Sequence, residues 1–384
     1  MKIFKLILCT FTFLFVIYNI SYAEKAIKGY KEYIKVGILT NQKQITLASD
    51  TKYLLICNNK KFSLSAGKIN IQISDKEIYF LNKTYNLPVK FVSSKCFVVN
   101  NKIYRGNIII NATSAKKTNV INELKIEDYL KGILPKEANS SWNIETLKAQ
   151  AVISRSYALK NLGKHSKEGY DVCSSVHCQV YGGASCEHKN CNKAIYDTKG
   201  EVVFYQDKIA QTLFHAACGG HTEDPKYVWQ WKIQTPEYLK GKKDNYCKNN
   251  PHSNWTTTIP ENQIRKKLIA AGYQIGKIKK ISMSGTTKGK AVKDFIIVHS
   301  KGKTKINSYT FRLTVNPNTI KSTMITSIKK KNNDFIFKGK GWGHKVGLCQ
   351  WGAKVMGDKN FSYKQILNFY YPGTKIRKIS YDKQ

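Results

Sequence analysis

Residues 124–160 read LKIEDYLKGILPKEANSSWNIETLKAQAVISRSYALK and predict two helices around which the rest of the chain is organised. The first helix is predicted from Leu124 to Leu134. Pro135 is expected to end or kink it, because proline lacks a backbone donor and restricts the residue before it. Asn143 is expected to cap the second helix. The apolar residues of the second helix recur at helical spacing and predict a buried stripe, namely Ile144, Leu147, Ala151, Ala158 and Leu162.

Glu137 lies in the predicted break between these helices, with Trp142 close by in the sequence. A carboxyl group at such a break, partly screened by apolar side chains, is what a catalyst with a single acid needs. The alternative is a solvated turn residue. Two other local acids, Glu127 and Asp128, precede Pro135 on the helix, and we expect surface or capping roles for both.

Arg155 falls on the apolar stripe of the second helix. A guanidinium on an inward face needs a carboxylate or carbonyl partner, and Glu137 is one candidate. The alternative is an arginine that reaches the surface or binds backbone carbonyls.

The chain is extremely basic, with Lys+Arg 64 against Asp+Glu 25 and a formal net charge of +39 over 384 residues. Nearly all of this charge is lysine, which supplies diffuse positive charge and does not read phosphates or bases in the bidentate manner of arginine. Such a field binds polyanions in general, anionic cell-wall polymers included. The alternative is a lysine bias of the whole genome. A hydrophobic content of 42% indicates a globular protein.

Residues 1–23 have the pattern of a secretory signal peptide. Lys2 and Lys5 precede an apolar run from Leu6 to Ile20, and Ser21-Tyr22-Ala23 fits a cleavage site. The alternative is an uncleaved membrane anchor. No later stretch is long and apolar enough to predict a span. We therefore expect an exported protein of the periplasm or cell envelope, and export argues against a nucleic-acid partner.

The order of predicted elements indicates an α+β fold that forms a single compact unit. Residues 24–115 form a β-rich N-terminal part, with short β-branched segments between turns. Residues 116–384 form a mixed α/β part that holds a polar loop rich in cysteine and histidine at 163–193. Further helices are predicted near 260–272, 350–356 and 363–369, and residues 278–337 are predicted to be β-like.

Four ordered motifs resemble the SpoIID/LytB family of sporulation and amidase-enhancer proteins. They are ILPKEANSSWNIETLKAQAVISRSYAL, DVCSSVHCQVYGG, FHAACGGHTED and GKGWGHKVGLCQWGAKVMGDKNFSYKQILNFYYPGTKI. The chain departs from the family pattern at Ala138, where methionine is frequent, at Lys345, where glycine is usual, and at Cys349, where serine is common.

The resemblance implies a lytic transglycosylase that cleaves peptidoglycan glycan strands, preferably strands without stem peptides. It places the catalytic glutamate at Glu137. Ordinary glycoside hydrolysis uses two carboxylates, whereas here one acid protonates the glycosidic oxygen and then accepts a proton from the C6 hydroxyl of the sugar. That hydroxyl closes a 1,6-anhydro ring on N-acetylmuramic acid. Trp142 is a candidate for stacking on a sugar, or for plain core packing.

The Cys/His loop carries a candidate metal site at His165, Cys173, His177 and Cys178, since thiolates and imidazoles are zinc ligands. Some members of the family hold zinc with two histidines and two cysteines in this loop. The alternatives are disulfides Cys173–Cys178 and Cys186–Cys191, favoured in an oxidising compartment, and a variant ligand set that includes Cys186, His188 or Cys191. We expect at most one structural zinc and no organic cofactor.

A third group of residues is predicted to line the substrate groove, because glycines allow close approach of a ligand and the other members bind sugar hydroxyls. With Trp142 and Arg155, the predicted substrate-binding residues are His215, Gly219, Gly220, Thr222, His344 and Gln350. His344 could also act as a base. Two further functions compete with the transglycosylase. One is a wall-binding protein without activity that stimulates an N-acetylmuramoyl-L-alanine amidase. The other is a secreted nucleic-acid binder. The net charge is its only support, because the chain has no motif of aromatic and basic residues for stacking on bases.

Overall fold

The structure is a computed structural model that describes residues 26–115 and 117–382. The predicted signal peptide, residues 1–23, lies outside the described residues. Within them, no helix combines the length and the apolar character that crossing a bilayer requires.

The N-terminal part is made of strands, as the sequence predicts. Their buried residues alternate along the chain, as in β3, where Ile45 and Leu47 are buried and their neighbours are more exposed. The strands are β1 Ile27–Lys31, β2 Tyr33–Thr40, β3 Gln44–Ser49, β4 Tyr53–Cys57, β5 Lys60–Leu64, β6 Gly67–Ile73, β7 Glu77–Phe80, β8 Lys83–Asn86, β9 Val89–Val92, β10 Phe97–Val99, β11 Lys102–Tyr104, β12 Asn107–Ala112 and β13 Thr118–Lys125.

Two sheets contain strands β2 to β13 and enclose the first hydrophobic core. One has the order β11-β10-β3-β6-β7-β8, and the other has the order β14-β2-β13-β12-β9-β4-β5, where β14 is Val172–Cys173. Tyr53 of the second sheet packs edge-on against Phe97 of the first, with ring centroids 5.6 Å apart. The boundary predicted at residues 115/116 falls in the turn between β12 and β13, which pair along their whole length. The two predicted parts therefore share a sheet.

The two predicted central helices are α1, Ile126–Glu137, and α2, Ile144–Lys160. The expectation that Pro135 ends the first helix is wrong, since Pro135 lies inside its last turn and the helix continues to Glu137. The helix ends two residues after Pro135, where the backbone of Ala138 is extended. Asn143 caps α2 as predicted, with its side chain accepting a hydrogen bond from the backbone N–H of Glu145.

The middle of the chain contains a helix that the sequence analysis did not predict. α3 begins inside the segment interpreted as a loop, and His188 caps it by accepting from the N–H of Asn190. The elements of this part are α3 Lys189–Asp197, β15 Glu201–Tyr205, β16 Lys208–Ile209, β17 Phe214–His215 and α4 Pro225–Trp229.

Residues 255–339 build two three-stranded sheets and two helices around a separate core. The predicted helix near 260–272 is confirmed as α5. A second helix, α6, replaces part of the predicted β-like segment, because Asn307 caps it by accepting from two backbone N–H groups. The elements are β18 Trp255–Pro260, α5 Glu261–Ala270, β19 Ile278–Thr286, β20 Val292–His299, β21 Gly302–Asn307, α6 Ser308–Val315, β22 Ile325–Lys331 and β23 Asp334–Gly339.

The C-terminal part completes the fold with β24 Leu348–Cys349, α7 Gln350–Asp358, α8 Tyr363–Tyr370 and β25 Lys375–Asp382. Both predicted helices are confirmed. β24 pairs in parallel with β17, and β25 lies between β1 and β15 in one sheet. The α+β class is therefore confirmed, and the last strand of the chain pairs with the first strand described.

Candidate functional site

Glu137 is the last residue of α1, and its carboxyl group is partly buried. Its Oε1 accepts a hydrogen bond of 2.8 Å from the backbone N–H of Val180. Burial raises the pKa of this carboxyl group, and the hydrogen bond from Val180 opposes the shift. A carboxyl group with a raised pKa holds its proton closer to neutral pH, as a general acid requires.

Gln350 fixes the end of the helix that carries Glu137. It is the first residue of α7, and its Nε2 donates 2.8 Å to the backbone carbonyl of Glu137 and 3.3 Å to Oε1 of Gln150 on α2. Gln350 is only 8% exposed. The sequence predicts Gln350 as a groove residue that binds sugar hydroxyls; in the structure it lies beside Glu137, and its amide is directed to the protein and positions the acid.

An aromatic row begins at Trp142 and runs over Trp351 and His252 to Trp342. The ring centroids are separated by 5.4 Å, 6.3 Å and 4.7 Å in that order, and all four side chains are partly exposed. The Nζ of Lys321 lies 5.3 Å from the ring of Trp342. Since Trp351 directly follows Gln350, the row passes beside the residue that holds Glu137. The sequence analysis included Trp142 but missed His252 and Trp342.

Arg155 contradicts its predicted pairing with Glu137. Its side chain is fully buried, and Nε and one terminal nitrogen donate to both oxygens of Glu127 at 2.9 Å and 2.8 Å. The guanidinium also donates to the carbonyls of Glu201 and Ile195 at 3.0 Å and 3.4 Å. These bonds occupy Arg155 inside the fold, so it does not present its guanidinium to a substrate.

The surface or capping role expected for Glu127 is wrong for the same reason. Glu127 balances a buried cation and also accepts from the N–H of Gly200 and the hydroxyl of Tyr381, at 3.2 Å and 2.9 Å. The acid before Pro135 is therefore structural.

The predicted groove residues His215 and His344 lie together, with ring centroids 5.6 Å apart. Nδ1 of His215 lies 3.1 Å from the carbonyl oxygen of Val346, and the His344 ring packs against Trp229. Burial lowers the pKa of His215 to about 4 and that of His344 to about 3. Both imidazoles are therefore neutral at neutral pH, and a pKa of about 3 makes His344 a weak base.

Thr222, Gly219 and Gly220 shape the loop after β17. Thr222 is 3% exposed and its hydroxyl exchanges hydrogen bonds with the backbone of Lys242. Gly219 and Gly220 have φ of 74° and 105°, a backbone conformation that favours glycine. The hydrogen bonds of Thr222 stay within these loops and do not reach Glu137.

The predicted metal residues His165, Cys173, His177 and Cys178 meet in the structure, with their ligand atoms all within 4.8 Å of one another. Cys178 Sγ lies 3.4 Å from Nε2 of His165 and 3.6 Å from Nδ1 of His177, which is 3.7 Å from Cys173 Sγ. Nδ1 of His165 is 3.8 Å from a carboxylate oxygen of Glu168, the type of partner that orients a metal-bound histidine. The donor set fits tetrahedral zinc. We call it the loop cluster.

The alternative disulfides Cys173–Cys178 and Cys186–Cys191 are not formed in the structure, where the nine cysteines of the described residues are free. Cys186 Sγ donates to the carbonyl of Gly132, and Cys191 Sγ contacts the hydroxyl of Ser140. These two thiols have separate partners, so neither the disulfide Cys186–Cys191 nor a ligand set built on them is present.

Comparisons with known proteins match this region. The SpoIID family model, described as "Stage II sporulation protein", matches residues 114–205, which include Glu137 and the loop cluster. An uncharacterized protein of Brachyspira hyodysenteriae is 36% identical over 293 residues, which are 76% of this chain and 77% of that protein.

Two relatives from Bacillus subtilis have names. The "Amidase enhancer" is 30% identical over 295 residues, which are 64% of this chain but only 40% of that protein. "Stage II sporulation protein D" is 26% identical over 275 residues, 67% of this chain and 75% of that protein. The chain therefore spans less than half of the first of these relatives and most of the second.

Proposed function

Because the chain belongs to the SpoIID family, and its relatives connect it to the cell wall, we propose that it is an exported lytic transglycosylase of peptidoglycan. Glu137 is the acid of the reaction. The observation that carries this proposal is a partly buried carboxyl group whose pKa burial raises, with its Oε1 held by the N–H of Val180 and the backbone carbonyl of the same residue held by Gln350.

The reaction needs no second carboxylate. Glu137 protonates the glycosidic oxygen while the bond from that oxygen to C1 of N-acetylmuramic acid breaks. The carboxylate then removes the proton of the C6 hydroxyl, and the oxygen of that hydroxyl bonds to C1. Glu137 is thereby protonated again, and the product carries a 1,6-anhydro end. Burial raises the pKa of Glu137, and the hydrogen bond from Val180 opposes this shift, which suits a group that first gives up a proton and then takes one back.

The aromatic row would hold the glycan strand beside Glu137. Half-exposed rings provide flat apolar faces for sugars, and polar neighbours orient the hydroxyls. Lysine charge, as at Lys321 beside Trp342, would attract an anionic wall. A bulky stem peptide would crowd such a row, which agrees with a preference for stripped strands.

We also propose that the loop cluster holds one structural zinc. A bound zinc would supply a rigid cross-link within the loop and no chemistry of its own. Cys178 lies two residues before Val180, whose N–H contacts Glu137. A zinc ion held by the cluster would therefore fix the position of the N–H donor that contacts the acid.

The test is mass spectrometry of purified glycan strands incubated with the protein and with its Glu137→Gln variant. The matched control is Asp128→Asn, which changes a partly exposed carboxylate on the same helix that pairs with Lys131. We expect anhydro-terminated fragments from the wild type and from the control, and a loss of about 10²–10⁴-fold in the variant, the usual contribution of a general acid. Equal rates from Glu137→Gln and wild type would refute the assignment.

The second candidate is a wall-binding protein that stimulates an N-acetylmuramoyl-L-alanine amidase. The similarity to the protein named "Amidase enhancer" and the net charge of +39 favour it. The same experiment separates the two functions. Absence of fragments from the wild type, together with binding to walls and faster release of peptides by an added amidase, would support the enhancer.

A further inference from the structure

Three cysteines and one aspartate from distant parts of the chain meet in the interior. Cys218, Asp244, Cys247 and Cys349 place one ligand atom each within 4.8 Å of the others. Asp244, Cys218 and Cys349 are fully buried, and Cys247 is 3% exposed. We call this group the buried cluster. It lies outside the segment that the family model matches.

We propose that the buried cluster is a second metal site, which binds one zinc ion through three thiolates and the carboxylate of Asp244. Soft thiolates select zinc among the divalent ions available to such a donor set. Around tetrahedral zinc, with Zn–S distances of about 2.3 Å, the ligand atoms lie about 3.8 Å apart. The widest separations, up to 4.8 Å, would contract to reach this geometry, and the 3.2 Å contact between Cys218 Sγ and Oδ2 of Asp244 would lengthen. With three thiols and an ionised Asp244 as the starting state, binding of Zn²⁺ releases 3 H⁺ and leaves the occupied site with a net charge of −2.

The surroundings of the sulfurs suit thiolates. Backbone N–H groups point at two of them, from Gly220 to Cys218 Sγ at 3.3 Å and from Gly352 to Cys349 Sγ at 3.4 Å. The N–H of Cys218 also points at Cys349 Sγ, at 3.3 Å. The side-chain amide of Asn250 lies 3.5 Å from Cys247 Sγ. Such donors spread the negative charge of metal-bound sulfur and are typical of the outer shell of a metal site.

Asp244 is already oriented as a ligand. Its Oδ1 accepts from the N–H groups of Tyr246 and Cys247, which fixes the carboxylate. Its Oδ2 lies 3.2 Å from Cys218 Sγ and accepts 2.9 Å from the hydroxyl of Tyr370. On metal binding Oδ2 would exchange the thiol contact for the ion and keep the bond from Tyr370. The backbone of Gly352 lies close against the carboxylate, since a Cβ added to this glycine would be 2.6 Å from Oδ2 of Asp244. No space remains for water on that side.

A closed, buried set of four protein ligands is a structural site and not a catalytic one. The ion would join the loop after β17, the turn at residues 244–247 and the start of α7. Cys349 caps α7 and directly precedes Gln350, whose side chain holds the carbonyl of Glu137. The metal would therefore fix the second support of Glu137, as the loop cluster fixes the first.

A disulfide is the competing chemistry in an exported protein. The number of thiols is odd, so one disulfide would leave the third thiol unpaired. It would also leave the buried Asp244 without a metal or a cation as partner. All three thiols are free in the structure. Metal binding uses all four groups at once.

The test isolates the buried cluster by removing the other one. Purified protein and the Cys173→Ser/Cys178→Ser variant are loaded with Zn²⁺, and bound metal is counted by elemental analysis. We expect two zinc ions per wild-type chain and one in the variant. Adding Cys349→Ser or Asp244→Asn to the variant should abolish or weaken the remaining binding. Adding Cys57→Ser, which removes a buried thiol outside both clusters, should leave it unchanged.

Cobalt provides a measurement that does not depend on folding of the triple variants. The Cys173→Ser/Cys178→Ser variant keeps the buried cluster intact and should bind one Co²⁺ with an intense sulfur-to-cobalt charge-transfer band. Absence of bound zinc and of this band in a folded variant would overturn the proposal. So would a disulfide among Cys218, Cys247 and Cys349 in peptides mapped without reduction.

Discussion

Lys345 has a backbone conformation that lysine rarely adopts, and replacing it by glycine sets two effects of opposite sign against each other. Its φ is 67°, in the left-handed region, where glycine is usual in the family pattern. A residue with a Cβ pays about 1–2 kcal/mol there. If backbone strain dominated, Lys345→Gly would stabilise the protein.

The contacts of the Lys345 side chain have the opposite and larger effect on stability. It is fully buried, with Nζ 3.4 Å from Oε1 of Glu223 and 3.4 Å from the carbonyl of Gly289. Glu223 is only 3% exposed. Removing one partner of a buried ion pair costs about 3–5 kcal/mol, because the other charge stays buried. After the relief of strain, we expect Lys345→Gly to lower the free energy of unfolding by about 1–4 kcal/mol.

Urea denaturation measures this free energy without the ionic screening that guanidinium chloride would add. Lys290→Gly is the matched control, since Lys290 is an exposed lysine with φ of 61° in the same conformation. We expect it to be neutral or mildly stabilising. The double variant Lys345→Gly/Glu223→Gln should recover most of the loss, because no charge is left buried and glutamine still accepts from the hydroxyl of Thr287. A Lys345→Gly protein as stable as wild type would refute the dominance of the ion pair.

Three further predictions concern the acid, the buried arginine and the aromatic row. Glu137→Gln should stabilise the fold at neutral pH. Because the pKa of Glu137 is raised in the folded state, ionisation of this carboxyl group destabilises the folded protein as the pH rises through that pKa. Thermal scans should show the difference in melting temperature between variant and wild type shrinking as the pH falls towards the ordinary carboxyl pKa of about 4.3. Arg155→Ala should cost about 3–5 kcal/mol by leaving Glu127 unpaired, whereas Lys193→Ala, at an exposed pair with Asp197, should cost less than about 1 kcal/mol in the same melts. Trp351→Ala should raise KM for glycan strands several-fold with a smaller change in kcat, since in the proposed function the aromatic row binds the strand and Glu137 carries out the reaction. An unchanged KM would show that Trp351 does not contact the substrate.

The sequence predicted best what local patterns encode. Apolar spacing and an Asn cap identified α2, and the proline before Glu261 and the glycine after Ala270 identified α5. Strand propensity gave the wrong secondary structure where a helix cap determines it. Residues 308–315, SYTFRLTV, contain β-branched and aromatic residues that favour a strand, yet Asn307 starts a helix there.

Local sequence patterns could not predict which side chains from distant parts of the chain would contact each other. Arg155 was correctly placed on an inward face, but its partner was chosen by proximity in the sequence. The fold instead pairs the guanidinium with Glu127 at the start of α1 and with the carbonyl of Glu201 on β15, while Tyr381 on β25 donates to Glu127. The loop cluster could be predicted because its four residues lie within one short loop. The buried cluster could not, because Cys218, Cys247 and Cys349 are far apart along the chain and only the fold brings them together.

The supports of Glu137 connect these two clusters to the proposed chemistry. The carboxyl group is held by the N–H of Val180, two residues after Cys178, and the carbonyl of the same residue is held by Gln350, one residue after Cys349. Val180 lies in a loop and Gln350 is the first residue of α7, so neither support comes from the helix that carries the acid. Loops and helix ends are the least rigid parts of a fold. A general acid must be held to within about 0.5 Å of its productive position. A set of thiols whose arrangement fits a metal lies next to each support, so the two proposed zinc ions would supply rigidity at both.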